Sequence, residues 1–149
     1  MNILNVSFNS ISAKKEQAPK GKLGIKSNVS ITSVEDANIG VDKSNTTLRV
    51  GFSFNTEYSP DYASIQITGQ MIVLEEKENA KKMLDTWNKE KKVNKDFSIP
   101  LMNTIMSKCV MESIIMAKEL NLPSPLPMPK VEQSAPVKAE TKQAPIKKK

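Results

Sequence analysis

At Glu76 the spacing of apolar residues in this chain changes from every second position to every third or fourth. Period two belongs to a strand with one buried face, and a spacing near 3.6 belongs to a helix with one buried stripe. Before the switch, Leu4, Val6 and Phe8 alternate with Asn5, Ser7 and Asn9, the pattern of a half-buried strand. Residues 28–34 repeat it through Val29 and Ile31. Residues 46–56 give the cleanest alternation, with Leu48, Val50, Phe52 and Phe54 on one side. Ser59-Pro60-Asp61 then predicts a turn, because Pro fixes φ and Asp can bond nearby backbone. A fourth strand is expected over residues 64–75, with Ile65, Ile67, Met71 and Val73 on one face. Gly69 interrupts that face and marks either a bulge or a close backbone approach.

After the switch, Ala80, Met83, Leu84 and Trp87 form one helical stripe opposite Lys81, Lys82, Asp85, Lys89 and Glu90. This helix should end within residues 92–96. Ser98 is the expected cap of a second helix, with Ile99-Pro100 in its first turn. That helix should run to about Leu120 through Leu101, Met102, Ile105, Met106, Cys109, Val110, Ile114 and Ala117. Its polar face is narrow, so the helix calls for cover on two sides. Four prolines at alternate positions from Pro123 to Pro129 then predict a stiff, extended segment. The expected fold is α+β, a four-stranded antiparallel sheet followed by two helices packed on one face. It should occupy residues 1–131, with a disordered Lys/Pro/Ala-rich tail over 132–149.

The chain has 149 residues and no histidine, which removes a His general base, a Ser–His or Cys–His nucleophile and His-ligated metal. Its one cysteine, Cys109, builds no thiolate metal site and reads as a buried small hydrophobe. Gly21-Lys22-Leu23-Gly24 lacks the spacing of a phosphate-binding loop, and the pairs Glu75-Glu76 and Glu35-Asp36 sit where solvated charge is the default. No enzyme, metal or cofactor is expected. No apolar run approaches the ~18 residues of a membrane span, and the first ten residues lack the pattern of a signal peptide. A cytoplasmic protein in a reducing compartment is expected.

The net charge of +6 is unevenly placed, since Lys130 and the residues beyond it hold six lysines against Glu132 and Glu140. Such a tail is either a solubilising extension or a weak contact for an anionic partner: RNA, the ribosome or a membrane surface. Arginine, the usual reader of base edges, occurs only at Arg49, which argues against specific nucleic-acid recognition. A ribosome- or RNA-associated accessory protein acting through the tail is the alternative function.

Residues 97–131, FSIPLMNTIMSKCVMESIIMAKELNLPSPLPMPKV, follow four strands and a shorter helix. An apolar residue and a proline open a long helix that runs into a leucine- and proline-containing extended segment, here Pro100 and Leu120-Asn121-Leu122-Pro123. This order resembles the SecB family of export chaperones and its SecB-like relatives. The resemblance implies an ATP-independent holdase that binds unfolded polypeptide clients as a homodimer or homotetramer. The family presents an acidic surface to the motor SecA, whereas this chain is basic, which puts a SecA-type motor in doubt as a partner. Methionines 83, 102, 106, 111 and 116 suit a surface that accepts varied apolar partners, or fill core gaps. On the strand and segment pattern, Phe52, Phe54, Met71 and Val73 would floor a client groove walled by Leu122, Leu126 and Met128. The same floor residues could instead close the subunit's own core. Ile105, Met106, Cys109, Val110 and Ile114 are the expected oligomer interface, with the side that meets the partner left open.

Overall fold

A computed structural model describes residues 1–16, 21–40 and 42–126. Four strands, β1 (Asn2–Lys15), β2 (Gly24–Asp36), β3 (Asn45–Ser59) and β4 (Ala63–Glu76), are followed by helices α1 (Lys77–Glu90) and α2 (Lys95–Glu119). The strands form one antiparallel sheet in the order β1-β4-β3-β2. The expected fold class is therefore the observed one.

The alternation read from the sequence sets the two faces of this sheet. Leu48, Val50, Phe52, Phe54 and Tyr58 of β3 lie opposite Val73, Met71, Gly69, Ile67 and Ala63 of β4, and these apolar side chains are buried. The reverse face is mainly polar, with Ser53 opposite Thr68 and Asn55 opposite Gln66, and carries half-buried Ile72 and Leu74 at its other end. Both helices pack on the apolar face, chiefly over β2, β3 and β4. Edge strand β1 receives less cover: Ile3, Val6 and Phe8 are half-buried against the core and Ile11 is exposed.

Two bulges in β1 correct the expected phasing of that strand. Register shifts between Ile3 and Asn5 and between Phe8 and Ser10 leave Leu4 and Asn9 as extra residues. Leu4 is exposed, and Ile3 takes the place opposite Val73 that strict alternation would give to Leu4. Gly69 lies opposite Phe8 on one side and Phe52 on the other. A Cβ there would run into the Ser7 carbonyl oxygen and the Phe52 ring, so this glycine marks a close approach. Its missing side chain lets Phe8 and Phe52 meet edge to face at 6.4 Å.

The polar groups caught in this core are bonded. Ser27 and Thr56 pair through their hydroxyls at 2.8 Å, and Thr47 donates to the Ile39 carbonyl at 3.0 Å. The buried Glu75 carboxylate accepts the Glu76 N–H at 2.9 Å and lies 3.7 Å from the terminal ammonium.

Helix α2 begins earlier than expected. Asn94 occupies the cap position, although without a side-chain bond, and its carbonyl accepts the Phe97 and Ser98 N–H groups. Ser98 lies inside the helix instead of capping it, and Pro100 falls in the second turn. Pro100 has no N–H to donate to the Asp96 carbonyl, so the second turn of α2 forms without that bond.

Candidate apolar surface on the second helix

The stripe of α2 that meets the sheet repeats every four residues: Leu101, Ile105, Cys109, Ser113 and Ala117. All five are buried, and the Ser113 hydroxyl is satisfied by donating to the Cys109 carbonyl at 2.8 Å. Burial, reinforced by the Glu112 charge, pushes the Cys109 thiol up to about 11, so it stays protonated and inert at neutral pH.

The sheet-facing stripe uses only part of the helix's apolar character. Met106 and Ile114 are exposed on the other side, with half-buried Val110 between them at four-residue spacing. Met111 and Ile115 lie beside them, 65% and 51% exposed, and Ile99 continues the apolar surface towards the N-terminal end. The five residues expected at an oligomer interface thus divide. Ile105 and Cys109 are core residues of the subunit, while Met106, Val110 and Ile114 lie outward or at the margin. Sequence reasoning missed Ile99 and Ile115 as surface residues and left Met111 open between surface and core. The one signal for them was the helix being apolar nearly all round, which becomes informative once the buried stripe is fixed.

The expected client groove is corrected in a similar way. Phe52, Phe54, Met71 and Val73 are at most 1% exposed in the closed core, beneath the two helices. They cannot serve as an open floor because this chain's own helix side chains fill the space above them. Leu122 is buried as well. Its N–H donates to the Ala117 carbonyl at 2.8 Å, which turns the chain back against the end of α2. Leu126 stands out from that segment, 42% exposed, and Met128 lies outside the described residues, as does the tail expected over 132–149.

The extended segment is tied down at its start. Tyr58 donates its hydroxyl to the Pro123 carbonyl at 2.7 Å, and the Lys15 ammonium donates to the Leu120 carbonyl at 2.8 Å. Hollows on the described surface are open and lined with polar and charged residues, as at Lys14, Glu16, Glu57 and Asp61 beside the β3–β4 turn. Among the described residues no three His, Cys, Asp or Glu side chains gather to hold a metal ion. No described helix is long and apolar enough to cross a membrane. Among the described residues the arrangement offers apolar contact on one side of α2.

No protein-family model matches this chain, and no curated protein matches it significantly. Among solved structures it is similar to the Mycobacterium tuberculosis SecB-like chaperone Rv1957, determined in complex with a ChAD peptide from the Rv1956 HigA1 antitoxin. The TM-score is 0.51 at 12% sequence identity, over 90% of this chain and 92% of that one. At that identity the likeness shows a SecB-like fold and does not assign the chain to the family.

Proposed function

We propose that this chain is a SecB-like, ATP-independent holdase that binds unfolded polypeptides in the cytoplasm as a homodimer or homotetramer. The observation that carries the reading is the outward apolar side of α2, from Ile99 through Met106 to Ile114 and Ile115. The fold that presents it is similar to that of a chaperone determined with a bound peptide. Methionine side chains are flexible and accept varied apolar partners with little shape selection, and the isoleucines beside them add apolar area. A helix that is buried along one stripe and apolar on the other gains by covering the second. Subunit contact and client contact draw on the same surface, so part of it serves assembly and the rest, with Leu126, meets the client.

The test is binding of a fluorescently labelled, permanently unfolded polypeptide, with the native mass recorded with and without it. Saturable binding of the unfolded form, absent for the folded form of the same client and independent of ATP, supports the reading. A folded monomer that binds neither form contradicts it.

A further inference from the structure

Four lysines gather where the two helices meet. Residues 89–96, KEKKVNKD, hold Lys89, Lys91, Lys92 and Lys95 against Glu90 and Asp96, all of them exposed. The described residues outside this stretch carry eleven Lys and Arg against twelve Asp and Glu, so the positive charge belongs to this corner. Among the described residues no carboxylate forms an ion pair with any of the four lysines. Their backbone is held from both sides. Lys91 ends α1 in the left-handed region at φ 55, with its N–H donating to the Trp87 carbonyl at 2.8 Å. The Asn94 carbonyl opens α2 by accepting the Phe97 and Ser98 N–H groups. The same corner adjoins the apolar side of α2. Lys95 is the first residue of the helix, and Ile99, 58% exposed, stands one turn further along the same side, about 6 Å up the axis. That lies inside the Debye length of about 8 Å at physiological salt. Half-buried Met102 and exposed Met106 continue this side at three- and four-residue spacing.

We infer that this surface selects polypeptide segments in which carboxylates adjoin an apolar stretch, the carboxylates meeting Lys92 and Lys95 while the apolar side chains lie on Ile99, Met102 and Met106. The inference rests on the holdase reading and names the class of client it favours. An extended chain advances about 3.3 Å per residue, so the rise from Lys95 to Ile99 places the carboxylates within about two residues of the first apolar side chain. Glu90 and Asp96 narrow the choice of partner. A single carboxylate can reach one ammonium and avoid them, whereas a nucleic-acid backbone or an anionic bilayer presents negative charge to the whole corner. The corner has no arginine to clamp a phosphate. Trp87 is buried, with the Lys91 ammonium 5.7 Å from its ring centroid, and half-buried Phe97 packs against the core, so neither ring offers an open face to a base.

The experiment uses the full chain and three labelled peptides that share one Leu/Ile/Met stretch. Glutamates adjoin the stretch in the first, lysines adjoin it in the second, and a long Gly/Ser spacer sets the glutamates apart in the third. The test variant is Lys92→Glu/Lys95→Glu, since glutamate suits an exposed turn and the first turn of a helix. Lys22→Glu/Lys43→Glu makes the same change in net charge elsewhere: Lys43 lies beside Lys77 at the opposite end of α1, and Lys22 just before Gly24, which pairs with Ser59. At low ionic strength the first peptide should bind the parent chain about five- to tenfold more tightly than the second, as two screened surface charges allow. The third should lose most of that advantage. Lys92→Glu/Lys95→Glu should remove or invert it, while Lys22→Glu/Lys43→Glu keeps it. Equal binding of the first two peptides, a preference that survives in Lys92→Glu/Lys95→Glu, or one indifferent to the spacer overturns the inference and leaves the holdase reading standing. Failure of all three peptides to bind overturns both. Vesicles of phosphatidylglycerol and phosphatidylcholine that hold the parent chain more tightly than the first peptide does, and release Lys92→Glu/Lys95→Glu, overturn it in favour of a membrane surface.

Discussion

Tyr58 and Pro123 are 65 residues apart in sequence, and the tyrosine hydroxyl donates to the proline carbonyl at 2.7 Å. The bond ties the start of the proline-rich segment to the end of β3, where the Tyr58 ring packs edge to face with Tyr62. It holds residues 122–123 between the end of β3 and the C-terminal end of α2. Tyr58→Phe keeps the ring and removes the donor. It should cost about 1 kcal/mol, the net value of one hydrogen bond whose exposed acceptor can turn to water. Urea denaturation measures the loss, and earlier proteolytic cleavage near residue 123 should accompany it.

Ile105 and Met106 are adjacent in sequence and opposite in environment. Ile105→Asp places an unpaired carboxylate in the core, at a cost of several kcal/mol, and should unfold the chain. Met106→Asp, at a position 38% exposed, should leave the circular dichroism spectrum and melting temperature nearly unchanged. If α2 joins subunits, the same variant should reduce the native mass. An Ile105→Asp protein that folds normally would contradict the placement of α2.

Gly69 and Gly24 give an internal comparison. Gly69→Ala drives a methyl into the Ser7 carbonyl and the Phe52 ring, whereas a Cβ at Gly24 meets nothing within 4 Å. The Gly69 change should cost about 1–3 kcal/mol, the range for overpacking. Gly24→Ala should stay within about 0.5 kcal/mol of the parent chain. Thermal melts of the two variants settle the contrast.

The buried Cys109 thiol carries a pH dependence of definite sign. A group whose pKa is higher in the folded state stabilises it below the unfolded value and loses that effect as pH rises through the folded one. The window here runs from about 9 to about 11. The useful quantity is the stability difference between the parent chain and Cys109→Ala. That difference should shrink by about 2–3 kcal/mol between pH 8 and pH 11, since each tenfold change in proton affinity corresponds to about 1.4 kcal/mol.

Element type was legible where burial on one face imposes a period. The alternation of Leu48, Val50, Phe52 and Phe54 marked β3, and the spacing of Ala80, Met83 and Trp87 marked α1. Leu4 misled because a bulge costs the sequence only one extra residue and leaves no pattern of its own. Ser98 misled because Ser is a good cap wherever it falls, while Asn94 opens the helix through its backbone. The client floor at Phe52 and Met71 failed for a more general reason. Apolar periodicity marks a face that will be covered, and only three-dimensional packing shows whether the cover is the chain itself or a partner. The same limit hid Ile115 and left Met111 undecided between core and surface, although both stand in the open on the folded helix.

The most direct measurement is suppression of aggregation of a chemically denatured client at a stoichiometric ratio, comparing the parent chain with Met111→Asp/Ile115→Asp. Both positions are more than half exposed, so the double variant should fold and melt like the parent. The parent chain should keep the client soluble without ATP, and the folded variant should largely fail to do so. A parent chain that leaves aggregation unchanged, or a variant as effective as the parent, would contradict the claim that the outward side of α2 holds unfolded polypeptides.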